Sequence, residues 1–295
     1  MTLMLALLLE WLLGDPQSRW HPVAVFGRWA SWVEQKCYGD TRSAGMHAWL
    51  WVVLPPLSLL WLGHSLLGWW FDVLLLWVCI GWKSLLVHVR AVLMAEGARD
   101  AREAVSRIVS RDTAAMSLAD ARCAALESLA ENASDAVLAP LFWFVLLGPI
   151  GAALYRMTNT LDAMWGYRNE RYQAFGWCAA RMDDAANWLP ARITARLMLR
   201  IGHETPWTQV KKQAVTHASP NAGWPETALA FAANVQLGGP VWRQGMKEIR
   251  PFYGRVDARP ADDRAAGLEA LQVTHRALLL GCLLALGVSF VVHGI

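Results

Sequence analysis

The sequence predicts an all-α, polytopic integral membrane protein with a large polar helical portion on the cytoplasmic side. Three observations lead there. Hydrophobic residues make up 55% of the 295-residue chain and charged residues only 17%, against roughly 25% in soluble domains. Four stretches, 46–63, 65–82, 136–155 and 277–295, approach the roughly 20 apolar residues that cross a bilayer. Alternating apolar–polar runs and hairpin dipeptides, the marks of strands, are missing.

The elements follow in order. Residues 2–13 form a short apolar stretch containing Glu10. It lacks the basic start and cleavage site of a signal peptide, so it is expected to remain. Stretch 46–63 has no charge, and Pro55-Pro56 should kink it. A turn is expected at Gly63-His64. Stretch 65–82 carries only Asp72. Eleven of the 18 Trp precede Lys83, as suits rings that settle at membrane interfaces. Residues 83–135 read as helix, rich in Ala, Glu, Arg and Leu, with Ser117 and Asp120 as N-cap candidates. Stretch 136–155 is uncharged but broken by Leu147-Gly148-Pro149-Ile150-Gly151, as in a re-entrant pair of half-helices that protein or a polar cavity must cover. The last stretch carries only His293. The expected organisation is N-terminal membrane helices at 1–82, a helical catalytic portion at 83–276 that includes the buried or re-entrant hairpin at 136–155, and a C-terminal membrane helix at 277–295.

Charge fixes an expected topology. The 27 Lys and Arg fall in three connections, four in 14–45, seven in 83–135 and sixteen in 156–276. Positive loops favour the cytoplasm. Residues 136–155 must then not cross, or the sixteen-charge segment would lie outside. The expected location is the inner membrane, with the active site facing the cytoplasm. The net charge of +3, 27 basic less 24 acidic residues, excludes a nucleic-acid protein. Five scattered Cys without a C-x-x-C exclude a disulfide framework and a thiolate zinc site.

Three polar segments carry candidate chemistry. In Glu127-Ser128-Leu129-Ala130-Glu131-Asn132-Ala133-Ser134-Asp135, a helix at about 100° per residue puts Glu127, Glu131, Asp135, Ser128 and Asn132 on one arc of about 140°. Carboxylates spaced by four repel, so a helix entering lipid gathers them for a cation. Hard oxygen ligands suit Mg²⁺. The competing reading is an exposed acidic stripe. The run 155–192 holds Arg156, Asn159, Arg168, Asn169, Arg171, Arg181, Asp183, Asp184 and Asn187. Guanidinium forks match phosphate and carboxylate, and Asp183-Asp184 could add metal ligands. Internal salt bridges are the plainer reading. Near Ser219 and Asn221, a helix start at Pro225 offers an anion site or merely a capped turn. No Walker A loop, dinucleotide fingerprint or G-x-S-x-G occurs.

Together these segments form a pattern: Gly14-Asp15-Pro16, His21-Pro22-Val23, Gly27, ESLAEN-SD at 127–135, APLFW at 139–143, YR-x-x-NTLDAM-x-GYRNERY at 155–172, AAR-x-DD-x-AN-x-x-PAR at 179–192, SPNAG-x-PE at 219–226 and LGGP at 237–240. The chain resembles the adenosylcobinamide-phosphate synthases of cobalamin biosynthesis, the CbiB/CobD family, from residue 14 to about 245. Trp224 stands where the family pattern expects Tyr.

The resemblance implies a membrane ligase. It would join adenosylcobyric acid to (R)-1-amino-2-propanol O-phosphate, or a related amino alcohol, with ATP and Mg²⁺. Glu127, Glu131 and Asp135 are assigned to Mg²⁺–ATP, with Asp183 and Asp184 as second candidates and Arg171 among the catalytic groups. Arg156, Arg168, Arg171 and Arg181 would hold phosphates or corrin carboxylates. Asn132, Asn159, Asn169 and Asn187 would position them, and Ser219 and Asn221 would receive the aminopropanol phosphate. Expected partners are these substrates, the lipid bilayer, other late cobalamin-pathway membrane enzymes and further copies of the chain. Two other readings stand beside it. A different membrane-embedded Mg²⁺-dependent transferase would show two separated aspartate-rich motifs and more spans. A non-catalytic membrane sensor would have lost the carboxylates of the polar run.

Overall fold

A computed structural model describes residues 1–16, 18–243 and 246–293. Among them, in chain order, lie helices α1 (Thr2–Leu13), α2 (Pro22–Cys37), α3 (Arg42–Leu67), α4 (Trp69–Cys79), α5 (Trp82–Met94), α6 (Ala98–Val105) and α7 (Leu118–Ala133). A π turn (Ser134–Leu138) leads directly into α8 (Ala139–Trp165). Then come α9 (Trp177–Ala186), α10 (Trp188–Ile201), α11 (Trp207–Ala214), α12 (Gly223–Ala232) and, last, α13 (Arg264–His293). The class is all-α as expected. Two small antiparallel ladders, missed in the sequence, interrupt it: β1 (Leu237–Gly238) pairs with β4 (Phe252–Tyr253), and β2 (Val241–Arg243) with β3 (Met246–Glu248). Strands of two or three residues are too short to show alternation.

Among the described residues, four helical segments are long and apolar enough to cross a membrane: Arg42–Leu67, Trp69–Met94, Leu118–Trp165 and Arg264–Val291. Thr2–Leu13 is a shorter apolar helix. These are the features of a membrane protein. The expected turn at Gly63-His64 is absent; α3 continues to Leu67, and the chain turns at Gly68, whose φ of 63° suits glycine. The final helix begins at Arg264, thirteen residues before the expected 277, and the last two residues of that apolar stretch, Gly294 and Ile295, lie outside the described residues.

Packing groups the chain into two compact units. The first comprises 1–81, 135–187 and 285–293; the second comprises 82–134 and 188–284. The expected catalytic portion at 83–276 is thus shared out, with 135–187 packing among the N-terminal helices. The reason is an apolar seam. Phe26, Ala30 and Val33 of α2, Ala48, Trp49, Val52 and Val53 of α3, Met157, Leu161 and Trp165 of α8, and Phe175 and Ala179 form one buried cluster. Gly45 lets α3 approach this seam, since a Cβ there would lie 1.8 Å from the Phe175 carbonyl oxygen. Pro56 has no N–H for the Val52 carbonyl four residues back. Trp29 Nε1 donates to that oxygen instead, at 3.2 Å, so α3 carries Pro55 and Pro56 inside it.

The expected interruption of 136–155 is present. Gly148 departs from helical geometry with φ 69° and ψ −165°, separating two helical halves of α8. That conformation is essentially confined to glycine.

In the second unit α7 is enclosed by α5, α6 and α12. Its start is a capping box: Ser117 Oγ accepts from the Asp120 N–H at 3.1 Å, and Asp120 Oδ2 accepts from the Ser117 N–H at 2.9 Å. Every residue of α12 is buried; it packs on α7, α10 and α11.

Candidate active site

The motif residues fall into separate polar centres. In the first unit the π turn delivers Asp135. The Asn159 Nδ2 of α8 donates to Asp135 Oδ2 at 3.3 Å and to Asp183 Oδ1 at 3.2 Å. Asn187 Nδ2 donates to Asp135 Oδ1. Asp183 and Asn187 are buried. One amide therefore holds two carboxylates side by side, and a second amide orients one of them. The Tyr155 hydroxyl is buried without a hydrogen-bond partner among the described residues. π turns inside helices recur at functional sites because the extra residue re-aims a side chain.

Other motif residues of this unit serve different contacts. Arg171 donates Nε and Nη2 to Glu34 Oε1 at 3.2 and 2.8 Å. Tyr172 Oη donates to the same oxygen at 3.0 Å, and Trp165 Nε1 donates to Glu34 Oε2 at 3.0 Å. Arg171 also stacks 4.3 Å from the Tyr38 ring. It thus anchors α2 to the loop after α8, with its fork already filled by a carboxylate. Asn169 Oδ1 accepts the Tyr172 N–H at 3.0 Å, a turn contact. Arg181 pairs with Asp184 at 3.1 Å, one turn along α9. Burial holds the Asp184 carboxyl above its usual range, opposed by Arg181 and Arg168. Arg168 is exposed. Arg156 lines a separate apolar cavity. Asp15 and His21, from the first two motifs, pair at 2.8 Å.

The second unit has its own charged core. Glu127 is 1% exposed. Arg111 Nη2 donates to its Oε2 at 2.5 Å, and Arg250 Nη2 to its Oε1 at 2.7 Å. The Gly238 N–H adds a third bond at 3.0 Å. Burial alone would lower Arg111, yet Glu127 beside it holds the guanidinium above its ordinary range. Glu226 is also buried, and its Oε2 has no hydrogen-bond partner among the described residues. Burial, then the charges of Glu127 and Glu131, push its carboxyl well above the usual range. His217 Nε2 stands 3.6 Å from Glu226 Oε1, and its Nδ1 accepts the Ser219 N–H at 2.9 Å. Burial lowers His217, so in both members of this pair burial favours the uncharged form.

The carboxylates expected on one arc therefore have three environments. Glu127 is saturated by arginines. Glu131 is exposed. Asp135 belongs to the Asn159 centre. Leu129, Ala130 and Ala133, which lie off the polar arc, are as buried as Glu127. Asn132 Nδ2 bonds back to the Ser128 carbonyl at 3.0 Å. No group of three or more His, Cys, Asp and Glu able to hold a metal converges among the described residues. Ser219 Oγ accepts the N–H groups of Asn221 and Ala222, both at 3.2 Å, and Asn221 Oδ1 accepts from Arg192 at 3.3 Å. This is the capped-turn arrangement.

Sequence reasoning missed Glu34, Arg111, Arg250, His217 and Glu226. Glu34 had a signal: Phe26, Ala30, Val33 and Glu34 share one buried stripe of α2, and a carboxylate in such a stripe demands partners. Arg111 and Arg250 lie outside the irregular motifs, 16 and 123 residues from Glu127, and no spacing rule links them.

The model of the CobD/Cbib protein family matches residues 3–273. The cobalamin biosynthesis protein CobD of Stutzerimonas stutzeri (strain A1501) is 44% identical over 266 residues, covering 87% of this chain and 88% of that one. The CobD protein of Chromobacterium violaceum is 41% identical over 316 residues, covering 99% and 97%. That of Halalkalibacterium halodurans is 39% identical, covering 84% of each. No solved structure matches the chain. A motif set spread from Gly14 to Pro240, and relatives this similar over nearly their whole length, lead to one assignment: the chain belongs to the CobD/CbiB family of cobalamin biosynthesis proteins.

Proposed function

We propose that the chain is the ATP-dependent amide ligase that joins adenosylcobyric acid to (R)-1-amino-2-propanol O-phosphate, or a related amino alcohol, giving adenosylcobinamide phosphate. Family membership supports the pathway. The observation that carries the chemistry is the Asp135–Asn159–Asp183–Asn187 centre, in which residues from three separate motifs meet. Mg²⁺ takes one or two carboxylates and completes its shell with phosphate oxygens and water. Two aspartates neighbouring one amide fit that demand, and Mg²⁺ bound there would neutralise charge on the ATP phosphates. The metal role expected of Glu127, Glu131 and Asp135 as a trio narrows to Asp135 with Asp183, and Glu127 and Glu131 keep no direct role at the metal.

In the proposed reaction a substrate carboxylate oxygen attacks the γ-phosphorus of ATP and ADP leaves. The neutral amine then attacks the acyl carbon, phosphate departs with the acyl oxygen, and the amine proton passes to a base. The protein's task is to hold anions and orient them. Arg168 and Arg181, exposed at the surface of their unit, are assigned to phosphate or corrin carboxylates. Asn159 and Asn187 keep the aspartates aimed. Asn169 acts by shaping the turn that follows Arg168, Asp184 by setting Arg181, Asn132 within α7, and Ser219 and Asn221 by shaping the turn before α12. Arg171 is a positioning residue through Glu34. The site faces the cytoplasm, where ATP is available; the distribution of Lys and Arg supports that orientation.

The test is an assay of detergent-purified full-length protein with ATP, Mg²⁺, adenosylcobyric acid and aminopropanol phosphate, read by mass spectrometry. One ADP per amide is expected. Hydroxylamine in place of the amine should trap a corrin hydroxamate. AMP and pyrophosphate would indicate an acyl-adenylate instead. The Cys123 thiol points to Glu127 and the Gly238 carbonyl, so replacing Cys123 and Cys178 with Ala should leave the rate within a few fold. Absence of any amide product would overturn the assignment.

A further inference from the structure

We propose that the first unit holds a resident phospholipid with an acidic headgroup, its phosphate on Arg156 and one acyl chain in the cavity beside it. The cavity has a volume of about 610 Å³, within the roughly 300–1,000 Å³ of ligand pockets. Its walls come from the start of α2 (Phe26, Trp29), the proline step of α3 (Pro55, Pro56), the end of α4 (Leu75) and the second half of α8 (Arg156). Apart from Arg156 and Thr160 the lining is apolar, and the Thr160 hydroxyl already donates to the Arg156 carbonyl at 2.7 Å.

Two features select the occupant. Arg156 Nε is buried and has no hydrogen-bond partner among the described residues. A guanidinium in apolar surroundings calls for an anion, and its planar fork matches phosphate. The walls lie on α3, α4 and α8, three of the segments apolar enough to cross a membrane, and Val25 and Leu59 of the lining are exposed at the surface. A pocket opening on lipid fills with hydrocarbon, because an empty cavity forfeits dispersion contacts. One cation at the wall of an otherwise apolar cavity is the complement of an anionic amphiphile. A corrinoid, edged with amides, would leave most of its polar groups unpaired here.

The test uses full-length protein in phosphatidylcholine vesicles containing a trace of phosphatidylglycerol with a photoactivatable acyl tail. Adducts should concentrate on peptides carrying Leu59, Leu75 and Met157. Unlabelled phosphatidylglycerol should compete at least tenfold better than phosphatidylcholine. Arg156→Gln should erase that preference, and Ala153→Phe, which fills the cavity, should lower the yield of adducts. The competition on the unaltered chain decides the matter even if a variant fails to insert. Labelling spread equally over outward-facing chains such as Leu66 and Leu283, or equal competition by the two lipids, would mean annular lipid only and overturn the proposal. Displacement of the label by adenosylcobyric acid but not by phosphatidylglycerol would overturn it too, by giving the cavity to substrate.

Discussion

Glu127→Gln separates an anchoring carboxylate from a metal-binding one. Glu127 is buried and takes guanidinium bonds of 2.5 and 2.7 Å and a backbone N–H at 3.0 Å. The Arg111 and Arg250 side chains are 15% and 10% exposed. An amide of the same shape keeps one acceptor oxygen but turns its NH₂ toward a guanidinium and leaves two buried cations without a counter-charge. Breaking a buried pair on one side costs about 3–5 kcal/mol. At about 2–4 °C per kcal/mol for chains of this order of size, the unfolding midpoint should fall by roughly 10 °C. Neutralising Glu103, whose pair with Arg107 is exposed, should change it by no more than the few degrees expected of surface pairs. Tryptophan fluorescence during heating of the detergent-solubilised chain reads both. A Glu127→Gln protein with an unchanged midpoint but a tenfold higher Mg²⁺ requirement would refute the reasoning and return Glu127 to the metal.

Three further outcomes follow. Asp135→Asn and Asp183→Asn should each abolish activity in folded, membrane-inserted protein, and Asn159→Ala should raise the Mg²⁺ concentration needed for half-maximal activity; activity of the aspartate variants within tenfold of the parent chain would dismiss the centre. Glu226 holds its proton in the folded state at pH values where the unfolded chain has released it. Its contribution is therefore present below the ordinary glutamate range and is lost as pH rises toward the folded value. Glu226→Gln should flatten that slope and gain relative stability at high pH, as measured by unfolding midpoints across pH 4 to 9; an unchanged slope contradicts it. Single cysteines at the exposed positions 112 and 204, in a Cys-free background, should be labelled from one face of the membrane, and labelling from opposite faces would make 136–155 a true crossing.

Much of the fold was legible because its signals are local. Uncharged runs marked the apolar helices, Gly148-Pro149 marked the break in α8, and Ser117 was one of two N-cap candidates for α7, the other, Asp120, proving to be its capping-box partner. The Asn159 centre was legible only in part. Its four residues stood out by their motifs, but nothing in the spacing said that Asp135 would join Asp183 and leave Glu127 behind. A helical arc predicts a functional face when the rest of the helix is exposed or in lipid. Around Glu127 protein encloses α7 on every side, so the pattern of small and acidic residues reports packing partners far away in sequence. The π turn then changes the phase at Ser134, which uniform rotation per residue cannot anticipate. Arg171 was misread for a related reason: its partner Glu34 lies 137 residues away.

Asn159 lies eleven residues beyond the Gly148 break with no loop between. That interval behaves as a fixed ruler. Deleting one residue from it would rotate Asn159 by about 100° and draw it back about 1.5 Å, turning its amide away from both aspartates. A change in chain length is better absorbed in largely exposed stretches between helices, such as 112–115 and 255–257. An insertion scan should find those connections permissive and 149–158 intolerant at every position, whatever residue is inserted.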